Sequence, residues 1–299
     1  MRERDGMFDY DIDDVEFLRH GDTSLLARLY KPRGQGPFPM VVELHGGVWS
    51  LNDRTHTAPA HHALAKAGIA VAALDFRQGA VGAYPLSVAD AHYGIRWVKA
   101  NAGLLNSRAD LLGVSGQSTG GHIALLIAMR PDDPRYAQYK LPPGSPDVDA
   151  RFRCLNLFWP VVNPHGRYRM AEALTGQPDP PDWAVRHVPL HDRYWGSVET
   201  MAEGSPLLAL ERGEKFQPVP LHWIQPRVDQ QHIYQDPGSP VPGTDLDKFV
   251  DGWRKAGGGV DLVYYDAPQY FTVHDPDSAA SHDAFDRMIG FFRKHIPKP

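Results

Sequence analysis

The sequence predicts an α/β fold: one mostly parallel sheet, helices on both faces, and a lid insertion. Three observations carry this. Strand-like apolar runs alternate with helix-like segments along the chain, the pattern of a parallel sheet covered on both sides. Gly116-Gln117-Ser118-Thr119-Gly120 stands between an apolar run at 109–115 and a helix-like run at 122–129. The stretch from about 164 to 218 has no clear strand, many prolines, and the aromatics Tyr168, Trp183, Tyr194 and Trp195.

The elements follow in order. Residues 15–18 and 24–30 read as an opening pair of strands, and 39–44 as a third that ends at His45-Gly46-Gly47. A helix at 61–67 leads to a buried strand at 69–74. Ala91, Ile95 and Val98 give 88–102 helical spacing. The serine strand and its helix come next, then strands at 152–159, 221–224 and 260–265. Helices are expected at 246–255 and 284–295. The whole of 1–299 reads as one domain, a length that α/β folds often reach. A long non-sheet insertion in a compact domain is usually functional. Here it belongs over the strand ends, where open α/β sheets bind ligands; the plain alternative is a surface excursion.

Composition is that of an ordinary globular chain, 42% hydrophobic and 22% charged. A net charge of −5 without a basic block gives no footprint for nucleic acid. The single cysteine, Cys154, permits no intrachain disulfide and reads as a small buried hydrophobe. Met1-Arg2-Glu3-Arg4-Asp5 lacks a signal-peptide core. No apolar run approaches the roughly 18 residues of a membrane span. A cytoplasmic location is expected.

Strand, Gly-x-Ser-x-Gly, helix is the context of a nucleophile elbow. The turn is tight, so small residues must flank the serine, and the helix N-terminus favours a developing anion. Read blandly, it is a Gly-rich turn. A serine needs a base, and the base an orienting acid; in elbow architectures the order is Ser, acid, His. Asp229, just after the strand at 221–224, is the expected acid. Asp266 is its strongest rival, and Asp245, Asp247 and Asp251 are weaker. His274, after the last strand, is the expected base, with His282 nearer the final helix. His232 lies close to the acid and reads as a pocket residue. Backbone N–H groups of Gly46, Gly47 and Thr119 are placed to form an oxyanion hole. His56, His61 and His62 cluster, as do His187 and His191, but no His-Glu-x-x-His spacing occurs. No metal or other cofactor is expected. Gly257-Gly258-Gly259 lacks the flanking elements of a dinucleotide loop.

These residues resemble the α/β-hydrolase superfamily, in particular the hormone-sensitive-lipase-like esterases and the related kynurenine-formamidase-like branch. The likeness rests on His45-Gly46-Gly47, Leu74-Asp75-Phe76-Arg77, Asp90 with Trp97, Gly116 to Gly121, and Ser205-Pro206-Leu207. It runs from about Val15 to His295. Val48 replaces a third glycine and narrows the acyl side, which leans toward the formamidase-like branch. Gln117, Thr119, Pro226 and His274-Asp275-Pro276 depart from the group's pattern. The resemblance implies a serine hydrolase acting through an acyl-enzyme, with carboxylic esters as the leading substrates. Arylamides or formamides are the alternative, and a silent binding protein on the same fold is a second. Trp49, Trp183, Tyr194 and Trp195 are expected to line an aromatic pocket for short acyl or aryl esters. A homodimer through exposed Phe291 or Phe292 is a further expectation.

Overall fold

The computed structural model describes residues 7–297; the Met1 to Asp5 segment discussed above lies outside them. β1 (Tyr10–His20) and β2 (Thr23–Pro32) form an antiparallel hairpin, turned at Gly21, whose φ is +56°. Both strands outrun the apolar residues that announce them. Their outer faces carry cross-strand ion pairs instead, such as Arg28 with Asp14 at 2.8 Å and Lys31 with Asp13.

The apolar runs that follow are β3 (Met40–Leu44), β4 (Ala70–Leu74), β5 (Leu112–Gln117), β6 (Leu155–Phe158), β7 (Leu221–Pro226) and β8 (Val260–Tyr265). The sheet order is β1-β2-β4-β3-β5-β6-β7-β8, and β4 through β8 run parallel. β3, β4 and β5 are buried at every position. Side chains alternate between faces. Met40, Val42 and Leu44 join a core under α2 (Leu86–Ala100), α3 (Thr119–Met129) and α8 (Asp245–Lys255). Val41 and Val71 join another under α1 (Ala58–Lys66) and α10 (Ala279–His295).

Phe291 and Phe292 belong to this second core. They are 8% and 0% exposed, which removes the exposed surface on which a dimer was expected. Helical spacing turns both rings toward the sheet, and Gly113 leaves room for Phe292: a Cβ there would meet its ring at 2.8 Å.

The insertion consists of α4 (Pro164–Thr175), α5 (Asp182–Trp195), α6 (Val198–Glu203) and α7 (Pro206–Glu211). Its prolines do not all break helices. Pro164 and Pro206 open α4 and α7, where a missing N–H costs nothing. Asn163, Ser197 and Ser205 accept backbone N–H groups as N-caps. The four helices rise from the C-terminal end of β6 and return to β7, over the strand ends, as a lid does.

Buried histidines tie these layers together. His92 on α2 donates to the Pro131 carbonyl at 2.8 Å, His122 on α3 to the Gly204 carbonyl at 2.8 Å, and His222 on β7 bonds Asn156 at 2.8 Å. Burial pushes His92 and His222 down to about 4, and His122 and His187 down to about 3. The unfolded chain, with histidines near 6.5, therefore binds more protons than the folded one below that pH. Stability rises with pH wherever the unfolded state is more protonated, so it is complete above about 6.5 and is lost as pH falls toward the folded values. Thermal melts should show Tm falling steeply from about pH 7 to pH 5. A flat Tm over that range would contradict neutral buried histidines.

Candidate active site

The switch in strand order places β3 beside β5, with Leu44 in register with Gly116. The loops after the two strands therefore face each other. Ser118 adopts φ +49°, ψ −112° between β5 and α3, a backbone state that non-glycine residues rarely hold. Its neighbours permit it. A Cβ on Gly116 would meet Gly121 Cα at 2.7 Å, and one on Gly120 would run into the carbonyls of Leu44 and His45. Ser118 N–H donates to Phe158 O at 2.9 Å, and Ser118 O accepts from Val161 N at 3.1 Å. The expected elbow is present.

Asp229 lies where it was expected, in the turn after β7. Its Oδ1 accepts the Gln231 N–H at 3.1 Å, as aspartates do two residues ahead of themselves in turns. The same turn carries His232 back over the carboxylate. His232 Nδ1–H donates to Asp229 Oδ2 at 2.8 Å, and Ser118 Oγ–H donates to His232 Nε2 at 2.9 Å. The three residues are 5%, 3% and 1% exposed in the order Ser118, Asp229, His232. Burial alone would raise the Asp229 carboxyl. The electrostatic attraction and hydrogen bond of the His232 imidazole, with bonds from Gln269 and Gln231, outweigh burial and hold it below its ordinary value.

The expected base is corrected here. His274 does not meet Ser118; His232 does. Residues Phe271–His274 form a short helix, α9, that turns Phe271 and Thr272 inward and leaves His274 exposed. The loop after β8 instead presents Gln269 and Tyr270. Gln269 donates to Asp229 Oδ1, and the Tyr270 ring stands edge-on to His232 with centroids 6.2 Å apart. The rivals stand elsewhere too: Asp266 pairs with Arg227 at the surface, and His282 is exposed on α10. The available signal was Asp-x-x-His within one loop after the acid strand, a spacing that one turn can close.

The glycine loop lies against the elbow. A Cβ on Gly46 would touch Ser118 Cβ at 3.2 Å. Gly47 has φ +122°, and its missing Cβ would strike Leu51 O. Val48 and Trp49 both hold φ +53°, so this loop stores strain beside the serine. Trp49 N–H donates to Thr119 Oγ1 at 3.3 Å. The Trp49 ring stacks on Tyr194 with centroids 5.0 Å apart and meets Trp195 edge-on. Trp183 packs separately, with Ala171 and Ala184. His61 bonds Thr57 and faces Glu43 at 3.1 Å, while His191 donates to His187 O. Among the described residues no group of His, Cys, Asp or Glu is arranged to hold a metal ion. A cleft of about 850 Å³ opens at the other end of the strands, around Pro131, Arg151 and Pro220.

Sheet order, elbow and hydrogen-bonded Ser118–His232–Asp229 define an α/β-hydrolase fold carrying the triad geometry of a serine hydrolase. Comparisons agree with the fold. The BD-FAE family model matches residues 28–149, under half of the chain. A probable carboxylic ester hydrolase, LipM of Mycobacterium tuberculosis, is 29% identical over 43% of this chain and 29% of its own. Carboxylesterase NlhH of the same organism is 34% identical over 36% and 34%. The matches thus span about a third of these curated relatives. An esterase of Pyrobaculum calidifontis superposes with a TM-score of 0.73 at 19% identity, covering 95% of this chain and 85% of that one. Propionate-bound Est2 of Thermogutta terrifontis gives 0.68 at 21%, covering 100% and 98%.

His232→Ala should lower kcat on an activated ester by about 10⁴-fold, since triad members act as a unit, whereas His274→Ala should stay near wild type. The reverse result would return the base to the loop after β8.

Proposed function

We propose that the chain is a serine esterase of the α/β-hydrolase superfamily. The observation that carries this is the 2.9 Å bond from Ser118 Oγ to His232 Nε2, with Asp229 behind it. Ser118 Oγ attacks the ester carbonyl carbon and passes its proton to His232 Nε2. Asp229 fixes the tautomer that leaves Nε2 free and stabilises the imidazolium. The C–O bond to the alcohol then breaks, and the alcohol leaves with the proton from His232. Water, deprotonated by His232, attacks the acyl-enzyme, releases the acid and restores the serine.

Gly46, Gly47 and Thr119 are the proposed oxyanion donors. Thr119 opens α3, and the closeness of Gly46 to Ser118 supports the glycine loop in this role; each donor is worth about 3–4 kcal/mol in rate. The resemblance to hormone-sensitive-lipase-like and formamidase-like enzymes, on His45-Gly46-Gly47 and the elbow, supports that placement, while the names of the esterase relatives support ester hydrolysis as the reaction. Trp49, Trp183, Tyr194 and Trp195 remain the proposed aromatic surround. Tyr194 and Trp195 on the lid pack against Trp49 of the glycine loop, and this crowding beside a buried serine supports a preference for short acyl groups.

Ser118→Ala should abolish both ester hydrolysis and labelling by a fluorophosphonate, with Tm little changed. Turnover in the folded variant would overturn the mechanism. For one chromogenic alcohol, kcat/KM should fall from acetyl and butyryl to palmitoyl. A palmitoyl preference would refute a narrow acyl site.

A further inference from the structure

Arg167 is a charge without a counter-ion. It lies on α4, is 0% exposed, and ranks among the largest fully buried side chains. Nε donates to His191 Nε2 at 3.3 Å. Both terminal nitrogens, Nη1 and Nη2, have no hydrogen-bond partner, and no carboxylate forms an ion pair with it among the described residues. Its Cζ sits 5.2 Å from the Trp49 ring centroid. An aromatic face attracts a cation but gives the two outer nitrogens no acceptor. Burying a guanidinium in this way is costly unless something completes it.

The place of Arg167 says what completes it. Trp49 follows the glycine loop and bonds Thr119, next to the serine. The α4 helix grows from the segment whose Val161 N–H is bonded to Ser118 O, and Arg167 N–H donates to Asn163 O at 3.0 Å. Arg167 is therefore set where the first lid helix meets the glycine loop at Trp49, on a helix whose root is hydrogen-bonded to the Ser118 carbonyl. We propose that its two free nitrogens receive a carboxylate of the substrate, so that the enzyme cleaves esters whose acyl or alcohol part carries a free carboxylate. This rests on the esterase reading above and names its substrate class.

A planar carboxylate matches the guanidinium fork with two parallel bonds. A single negative charge also matches the surroundings. His122, His187 and His191 are kept neutral by burial, which leaves Arg167 as the cation of this cluster. Asp229 acts on it through space and is already hydrogen-bonded to His232. Trp183 Nε1, Trp195 Nε1 and His187 Nδ1, also buried without partners, add polar edges to the same region of the lid.

Two matched pairs test this in the wild-type enzyme. Mono-4-nitrophenyl adipate against 4-nitrophenyl heptanoate places the carboxylate on the acyl side; 3-acetoxybenzoate against 3-acetoxytoluene places it on the alcohol side. In one pair the anionic ester should have kcat/KM at least about tenfold higher. Arg167→Met should bring that ratio close to one, and Arg167→Lys should keep part of it. Equal or lower kcat/KM for the anionic member of both pairs overturns the proposal, and this comparison needs no variant. Fluorophosphonate labelling of Ser118 keeps the two readings apart. A labelled enzyme without anionic preference sinks this inference alone. An enzyme that is neither labelled nor active on any ester sinks the esterase reading itself.

Discussion

The sharp backbone turn at Ser118 is the constraint on which the rest of the molecule hangs. A non-glycine residue at φ +49° costs on the order of 1–3 kcal/mol. The fold meets this cost with buried structure on both sides. β5 and nearly all of α3 are shielded from water, and bonds from the Ser118 backbone reach Phe158 and Val161. Helix and strand can close so tightly only because Gly116, Gly120 and Gly121 leave no Cβ between them. The close fit fixes the glycine loop after β3, and through Val161 it fixes the start of α4 as well. Glycine loop, nucleophile elbow and lid are thus referred to one point.

Much of this was legible in the sequence. Strands buried on both faces announced themselves, as did the elbow and the acid after β7. The edge hairpin was read short because its outward residues are paired charges, which hide the apolar alternation. The insertion was recognised as non-sheet, but its helices were not named, since their prolines sit at first turns where proline looks like a breaker. The base was misread for a geometric reason. Residue type and chain order favour a histidine after the last strand, yet the short helix at Phe271–His274 turns that side chain outward. Whether a turn brings His232 over Asp229 depends on the Gln231 N–H reaching the carboxylate, which sequence order does not encode. Arg167 was invisible in the same way. An arginine on a polar-looking helix reads as solvated until the packing around Trp49 encloses it.

The lid also bears on access. Ser118, Asp229 and His232 are almost fully shielded, so low dielectric strengthens their mutual bonds and bulk water does not compete for the serine proton. The same closure comes from the inserted helices, which pack against the glycine loop and α3. The residues that hold the lid down include Tyr194, through its stack on Trp49, and Gly204, through His122.

The acid and the base share one turn, rooted in a strand paired on both sides. In the arrangement where the base follows the last strand, any fraying of the sheet's edge separates the proton acceptor from its carboxylate. Here the loop after the terminal strand contributes Gln269 to the pair, not the base itself. Opening of the segment after β8, the kind of sub-global excursion that amide exchange detects, would remove the Gln269 bond and the Tyr270 ring from the pair but would break neither the Asp229–His232 bond nor the His232–Ser118 bond. The histidine and its carboxylate are thereby tied to an interior strand and not to the edge strand β8.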